Sequence, residues 1–460
     1  MGTRDNVEWE AAKREVQGII AREVQRRLPA NPDAGDIERA TLCVAREICG
    51  PVVGEQLTAQ AAALATSGHC GLCGRRVRMV DRCRERHLTG VLGESTYSRR
   101  YFYCDQCKQG YVPADQVLGI GPSAWLPSLE RASARLGIET CYQRAARALA
   151  EAVDLPIPEE DVRHTTEAIG TVAEGEHQAR VAKTLEHRET PGPAESDTLI
   201  IAVDGCMVHV DGDWHEAKVG ACAPYGPAEE IDPDTGRSRP ALGRQRFVVG
   251  LEDAESFWYR LYAQATHQGL GGREVRRVAV LGDGADWIWN RAAPFLALPG
   301  VALTEIVDIW HARQYLWQVA HAVFGDGPQA ARWAQPLSAA LQDAGARPII
   351  TALQRLQPTS ADGRERVRLG LEYFGKHAQR MRYPDFAAAG LPIGSGIVES
   401  ACKLVVKARQ AGAGMRWGWI GSQAVATLRA VHRSGDWDRF WLRCPQLRRP
   451  PIRTLRNRVA

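Results

Sequence analysis

Apolar positions recur at helical spacing in the first part of the chain: Ile19, Ile20, Val24 and Leu28 form one stripe, and Ile37, Ala40, Leu42, Val44 and Ile48 a second. A small helical region over residues 1–66 is predicted. From 67 to 115 the pattern changes to short runs rich in Arg, Val and Tyr, which fit strands. Helical periodicity returns over 116–190, and ETPGPAES at 189–196 reads as a linker with a domain boundary near 195. The runs TLIIAVDGCMVHV, DWHEAKVGACAPY and RFVVGLED that follow are apolar and β-branched enough for adjacent strands. VRRVAVLGDGADWIW and VALTEIVDIWHARQYL then each read as strand into helix. Strands paired first as hairpins and then alternating with helices predict a mixed α/β core, its sheet covered by helices, over 197–311 and again over 391–442. Residues 312–390 between them are helical almost throughout and read as an insertion, and 443–460 form a basic tail.

Composition narrows the class. With 45% apolar and 24% charged residues and 44 Gly spread along 460 positions, the chain is an ordinary globular one, which excludes collagen-like, coiled-coil and wholly disordered readings. At about 150 residues per domain the length suggests three domains. No run reaches the 18 or so apolar residues of a membrane span, and acids and bases occupy the first twenty positions where a signal peptide needs an apolar run. The expectation is a cytoplasmic protein with reduced thiols, no membrane partner and no small-molecule substrate, so clustered cysteines read first as metal ligands. Net charge is only +4, yet from Lys403 onward 13 Lys/Arg face Asp436 and Asp438 alone. Such a tail suits a polyanion.

Cys70-x2-Cys73 and Cys104-x2-Cys107 place two thiolates on each of two tight turns, which together complete a tetrahedral zinc site. His69, Cys83 and His87 lie near enough in sequence to compete as ligands. Between Cys70 and Lys108 nine Lys/Arg face four acids, a surface for phosphate contact or simply a solvated one. Residues 140–170 read as two helices around a Pro-bounded turn, the spacing of a helix-turn-helix and equally of a plain helical hairpin. Three acids stand out: Asp204 and Asp283, each ending an apolar strand run and followed by Gly, and Glu399 on a helix that Ser395 could cap. Singly they are common turn formers. Together, on two neighbouring strands and a flanking helix, they offer the carboxylate oxygens that two Mg²⁺ or Mn²⁺ ions need for phosphodiester chemistry. Helical spacing puts Glu399, Lys403, Lys407 and Gln410 on one face, opposite Ile397, Ala401, Leu404 and Val405. His311, beside Trp310 and Tyr315, reads alone as a packed core residue, as does Trp417 beside Arg416.

In this order the residues resemble a family. VDG (Asp204), LGDGADWIW (Asp283), DIWHARQYLW and GSGIVESACK (Glu399), preceded by the CxxC pairs and followed by MRWGWIGSQAVATLRAVHRSGDWDRFW, look like bacterial insertion-sequence transposases of the ISKra type, related to Mutator-like elements. The resemblance implies a ribonuclease H-like catalytic core with Asp204, Asp283 and Glu399 as an Asp-Asp-Glu triad binding the two catalytic ions. It also implies supporting roles for Asp308 and His311 in an Asp/Cys-x-x-His signature, and it fits the helical block before Glu399 to an insertion domain. Such an enzyme binds the inverted-repeat ends of its element as double-stranded DNA, cuts them and joins them to target DNA. It works as a homodimer or higher oligomer on DNA, associated with the nucleoid. Lys403, Lys407, Arg409, Arg416 and Trp417 are the expected DNA contacts. A ribonuclease H-like nuclease without strand transfer, or an inactive DNA-binding regulator, shares the same features.

Overall fold

The computed structural model describes residues 3–64, 69–70, 73–231, 238–394, 396–412 and 414–447. The chain divides into two compact units, Met1–Thr166 with Arg439–Ala460, and Glu167–Asp438. The division falls inside the helix Glu159–Leu185 rather than near 195, where the Pro/Gly stretch had suggested it. That stretch is fastened: the Gly192 N–H donates to the Thr266 carbonyl (3.0 Å) and the Ala194 N–H to Glu274 (3.4 Å). A segment whose backbone groups are bonded to its neighbours is a docked connection, not a free linker.

The first unit begins with the helices Thr3–Arg27 and Ala34–Ala63, the second opened by a capping box in which Asp33 and Asp36 bond each other's backbone N–H. An antiparallel sheet follows, with strands β1 (Arg78–Gly90), β2 (Gly93–Cys104) and β3 (Gln109–Tyr111) in that order. Asp115 ties it down. Its carboxylate accepts from Arg86 (2.7 Å), Arg99 (3.1 Å) and the Tyr97 hydroxyl, and Arg86 also donates to the Gly121 and Ser123 carbonyls. The helices Pro127–Glu139 and Tyr142–Val153 and the opening turns of Glu159–Leu185, as far as Thr166, complete the unit, and Ala145, Ala146, Leu149 and Val153 are buried on one stripe, as the periodicity predicts. Asp154, in the left-handed region (φ 46°), ends the middle helix. The helix-turn-helix outline is therefore present, but the helix after the turn opens on Glu159, Glu160 and Asp161 and spans 27 residues. Three acids at the end that would approach phosphates argue for a packing hairpin.

The second unit is built on a mixed sheet with strands β4 (Thr198–Val210), β5 (Asp213–Ile231), β6 (Ser238–Leu242), β7 (Arg246–Gly250), β8 (Arg277–Gly282) and β9 (Ala302–Val307). The order is β6-β5-β4-β8-β9, with β7 also paired to β5. β4 and β5 form an antiparallel hairpin closed by Asp211 and Gly212, both at positive φ (50° and 91°), the two-residue turn whose twist matches paired strands. β8 and β9 run parallel to β4. Leu199 to Val203 are each no more than 1% exposed, because β4 lies between two strands with both faces covered, and this is why its sequence is continuously apolar. The helix Ala254–His267 buries Phe257, Trp258 and Leu261, and Trp419–Arg433 packs on β7. The helices Ile309–Phe324, Pro328–Ala344, Arg347–Gln354, Ala361–His377 and Tyr383–Ala388 make up the helical block expected between the two parts of the core.

Candidate functional site

Among the described residues one group of ligand-type side chains closes to metal-binding distance, four cysteines in the first unit, and a looser set of acids lies in the second. In the first, the sulfurs of Cys70, Cys73, Cys104 and Cys107 all lie within 4.8 Å of one another. Cys73 and Cys104 are 3.6 Å apart, Cys70 and Cys107 4.0 Å. Disulfide sulfurs would be about 2.05 Å apart. Four thiolates about 2.3 Å from a central zinc form a tetrahedron with edges of about 3.8 Å, so the spacing is that of a metal cage. The Cys107 N–H donates to the Cys104 sulfur (3.4 Å), which holds that thiol down at about 7 and favours the thiolate a metal needs. The alternative ligands are elsewhere: Cys83 is exposed on β1, and the His87 ring bonds the Thr96 hydroxyl (2.8 Å). Four closed sulfur ligands make a site suited to a structural ion such as zinc.

The second cluster comes from strand register. Val203 on β4 pairs with Gly282 on β8, and Gly282 pairs with Val307 on β9, all parallel. The next residue in each case is an aspartate, so Asp204, Asp283 and Asp308 follow one another across the sheet; Asp283 and Asp308 lie just past the ends of β8 and β9, whereas Asp204, expected to end its strand, sits mid-strand in β4 and pairs with Val219, because β5 carries the hairpin on to Val210. Each has its Oδ1 held by a nearby backbone N–H, from Gly205 (2.7 Å), Ala285 (2.8 Å) and Trp310 (2.6 Å) respectively. Asp308, only 3% exposed, also caps the helix Ile309–Phe324. Burial pushes the Asp204 carboxyl above its ordinary value, the Asp283 carboxylate adds to the rise, and the His311 imidazole opposes it. The Asp308-x-x-His311 spacing on the opening turn of that helix thus brings both of its residues to the two leading acids.

Glu399 lies on the helix Gly396–Ala401; its side chain, like residue Ser395, is outside the described part of the structure. Its helix packs on β4 and β5. Three positions on, the buried Cys402 thiol donates to Asp204 Oδ2 (3.4 Å). Hydrogen bonding to Cys206, burial and the Asp204 charge all keep that thiol protonated, so it remains a donor. Cys402–Lys407 is a π-helical turn. Buried positions there are 401/402, 405/406 and 409/410, a spacing of four that the wider π turn explains. The face expected at regular helical spacing shifts accordingly: Leu404 is 44% exposed and Gln410 2%. Carbonyls displaced by the turn find a partner in the buried Arg429, which donates to Val405 O (2.8 Å) and Leu404 O.

The acids therefore sit where β8 and β9 end beside the middle of β4, and the Glu399 helix packs on β4 and β5. Residues 74–369, which carry Asp204, Asp283, Asp308 and His311, match the model of the Uncharacterised protein family (UPF0236). The chain belongs to that family. No curated protein matches it. The UPF0236 match takes in Cys104 and Cys107 and most of the helical block, and it ends before Glu399. Within that block, Tyr373 stacks on Tyr315 (centroids 4.2 Å apart, 3° between planes), and its ring fills the space a side chain on Gly284 would need. Burial, then the charges of Asp283, Tyr315 and Asp308, drive the Tyr373 hydroxyl well above its ordinary value, which sets this helix against the acid edge.

Of the residues expected to meet DNA, Lys403, Lys407 and Arg416 are exposed. Arg409 and Trp417 are buried against each other, the guanidinium 4.7 Å from the ring, with Arg409 2% and Trp417 8% exposed. They are packing residues. Cys402, Arg429 and Tyr373 escaped sequence reasoning because nothing in their neighbours marks them; only the position of Cys402 on the helix face three residues after Glu399 offered a hint.

Proposed function

We propose that this UPF0236 chain is a DNA transposase of the Asp-Asp-Glu type, similar to the ISKra insertion-sequence enzymes, with a ribonuclease H-like core. The observation that carries the reading is the register that lines up Asp204, within β4, with Asp283 and Asp308 at the ends of β8 and β9, and the Cys402 thiol, just after the Glu399 helix, bonded to Asp204. The six-stranded mixed sheet, four strands paired antiparallel and extended by two parallel ones, followed by a helical block and the Glu399 helix, supports this reading. Double-stranded element ends and target DNA are its substrates, and a homodimer or higher oligomer on DNA its working form.

Asp204, Asp283 and Glu399 are the residues that would hold two Mg²⁺ or Mn²⁺ ions, with Asp308 beside them. Such ions, when bound, activate the attacking oxygen and steady the leaving one. The donor set fits: all are hard oxygen ligands, and two adjacent, half-buried carboxylates, one with its pKa raised, form a site whose like charges a divalent cation relieves. The protein's own groups prepare the acids. Backbone N–H groups at 205, 285 and 310 fix the three carboxylate planes, Cys402 holds the second oxygen of Asp204, and His311 favours its ionised form.

The test is cleavage and joining of DNA that carries the sequences flanking the gene, by wild-type protein and by Asp204→Ala, Asp283→Ala and Glu399→Gln. Loss of both reactions with binding retained supports the reading; cutting without joining points to a nuclease instead, and near wild-type cutting by any variant removes that residue from the triad.

A further inference from the structure

The three-stranded sheet carries a surface that the acid cluster does not use. β1 is an edge strand, and its residues 78–85 are all exposed, on both faces, whereas in β2 a buried face alternates with an open one. Pairing of β1 with β2 slips twice, between Met79 and Asp81 and between Asp81 and Arg84. Each slip adds a residue to β1, and such bulges twist a strand and re-aim its side chains. Asp81 is occupied in this bulge, accepting the Cys83 N–H (2.9 Å).

The basic residues of the segment sort into two sets. Arg86 and Arg99 turn inward to Asp115, Arg75 donates to Gln106 (3.2 Å), and Arg84 lies over the Tyr101 ring (4.3 Å). Arg76, Arg78 and Arg82 are exposed, and their guanidinium groups have no carboxylate or hydrogen-bond partner among the described residues. Around them Met79 and Val80 are 40% and 49% exposed, and Glu85 is the acid at the far end of the run. The four-cysteine cage anchors one end of this ribbon and the Asp115 network the other, so the charges are presented on a braced element.

We propose that the outer edge of β1 is a contact for duplex DNA, with Arg76, just before the strand, and Arg78 and Arg82 meeting phosphates while this edge of the three-stranded sheet lies along a groove. Unpaired arginines on an exposed edge with few acids have the charge complement of the phosphates that border a groove. The inference rests on the reading that the chain acts on DNA, and it is tested by binding alone.

The experiment uses full-length, zinc-loaded protein and a labelled 30-base-pair duplex without divalent magnesium, with anisotropy followed over a range of KCl. Each phosphate contact contributes about 0.9 to the slope of log K against log salt, so Arg76→Gln, Arg78→Gln, Arg82→Gln together should lower its magnitude by about 2 to 3. The same three positions as Lys should keep most of the wild-type slope, because a point charge serves a phosphate. An unchanged slope in the Gln protein overturns the proposal, as does a Lys protein that binds no better than the Gln one, since that would trace the loss to folding. An equal loss on a single-stranded oligonucleotide overturns the groove placement. If the slope falls as expected while no protein cuts DNA, this surface stands and the reading of the acid cluster fails.

Discussion

The thiol cluster and the acid cluster both bring together residue types that can ligate metals, but only the thiols lie within ligand distance of one another among the described residues, and the two are built on opposite principles. Cys70, Cys73, Cys104 and Cys107 come from two short turns of the same kind, and their sulfurs close a tetrahedron with no position left over. Asp204, Asp283 and Asp308 come from three strands that meet only because the sheet pairs 203 with 282 and 282 with 307. Asp204 and Asp283 are half-buried and Asp308 buried, with Asp204 held above its usual pKa. A closed site uses its ligands to hold the fold together; on the function proposed above, the acids stay in a costly environment that an ion and a substrate would relieve.

The largest expected effect tests that contrast at the acids. Asp204→Ala or Asp283→Ala should lower DNA cleavage by about a thousandfold or more, since a catalytic ion supplies several kcal/mol of transition-state stabilisation, with the zinc content of the protein unchanged. Cleavage assays beside elemental analysis decide it; coupled loss of zinc would erase the distinction between the clusters. Next comes Cys104→Ser, or removal of the metal by a chelator. Structural zinc binding contributes about 10 kcal/mol or more to small domains, so the 67–115 region should become open to proteolysis while melting of the 167–438 unit stays put. Equal loosening of both units would show that the cage is not local.

A smaller effect probes how the Glu399 helix is held. Arg429→Met leaves the Val405 and Leu404 carbonyls without their donor and should cost about 3 kcal/mol in chemical denaturation, and the equivalent loss in cleavage should be larger than the loss in DNA binding. An unchanged unfolding midpoint would mean that the π turn needs no clamp. The smallest is a gain. Because the folded state raises the Asp204 pKa, its favourable contribution is present at low pH and is lost as pH rises through the folded value. At pH 7 the ionised group is a burden, and Asp204→Asn should stabilise the fold by about 0.5–2 kcal/mol, the usual scale when a strained functional group is replaced. The gain should shrink towards pH 4 in urea titrations. A destabilised Asn variant at pH 7 would show that Asp204 is a structural residue.

Much of this was legible in the chain. The runs before Asp283 and Asp308 are the strands β8 and β9, and helices fill the stretch read as helical; the run before Asp204 is only the first half of β4, which pairing with β5 carries on to Val210. The face of the Glu399 helix was not legible, because the assumption of 3.6 residues per turn fails over Cys402–Lys407 and moves Leu404 out and Gln410 in. Arg409 and Trp417, basic and aromatic in a basic stretch, suggested a surface for DNA; they stack on one another in the interior, where cation–π contact and apolar area favour burial together. The acids that open Glu159–Leu185 were visible from the start, but only the length of that helix gave them meaning.

By itself the sequence determined what short-range physics controls: the CxxC turns that present thiolates in pairs, the alternation of strand and helix, the acids that follow apolar runs. Tertiary structure decided which of these meet. Two CxxC turns are brought to 3.6 and 4.0 Å between sulfurs by the hairpin between them, and three aspartates become neighbours through parallel register, a property of strand pairing that no single strand contains. The same holds for the nine basic residues around the ribbon, alike in sequence, of which Arg86 and Arg99 are claimed by Asp115 while Arg76, Arg78 and Arg82 are left to solvent. A charge is fixed by its residue type, but its partner is fixed by what the fold carries to within a few ångströms, and over that distance the interaction energy changes most steeply.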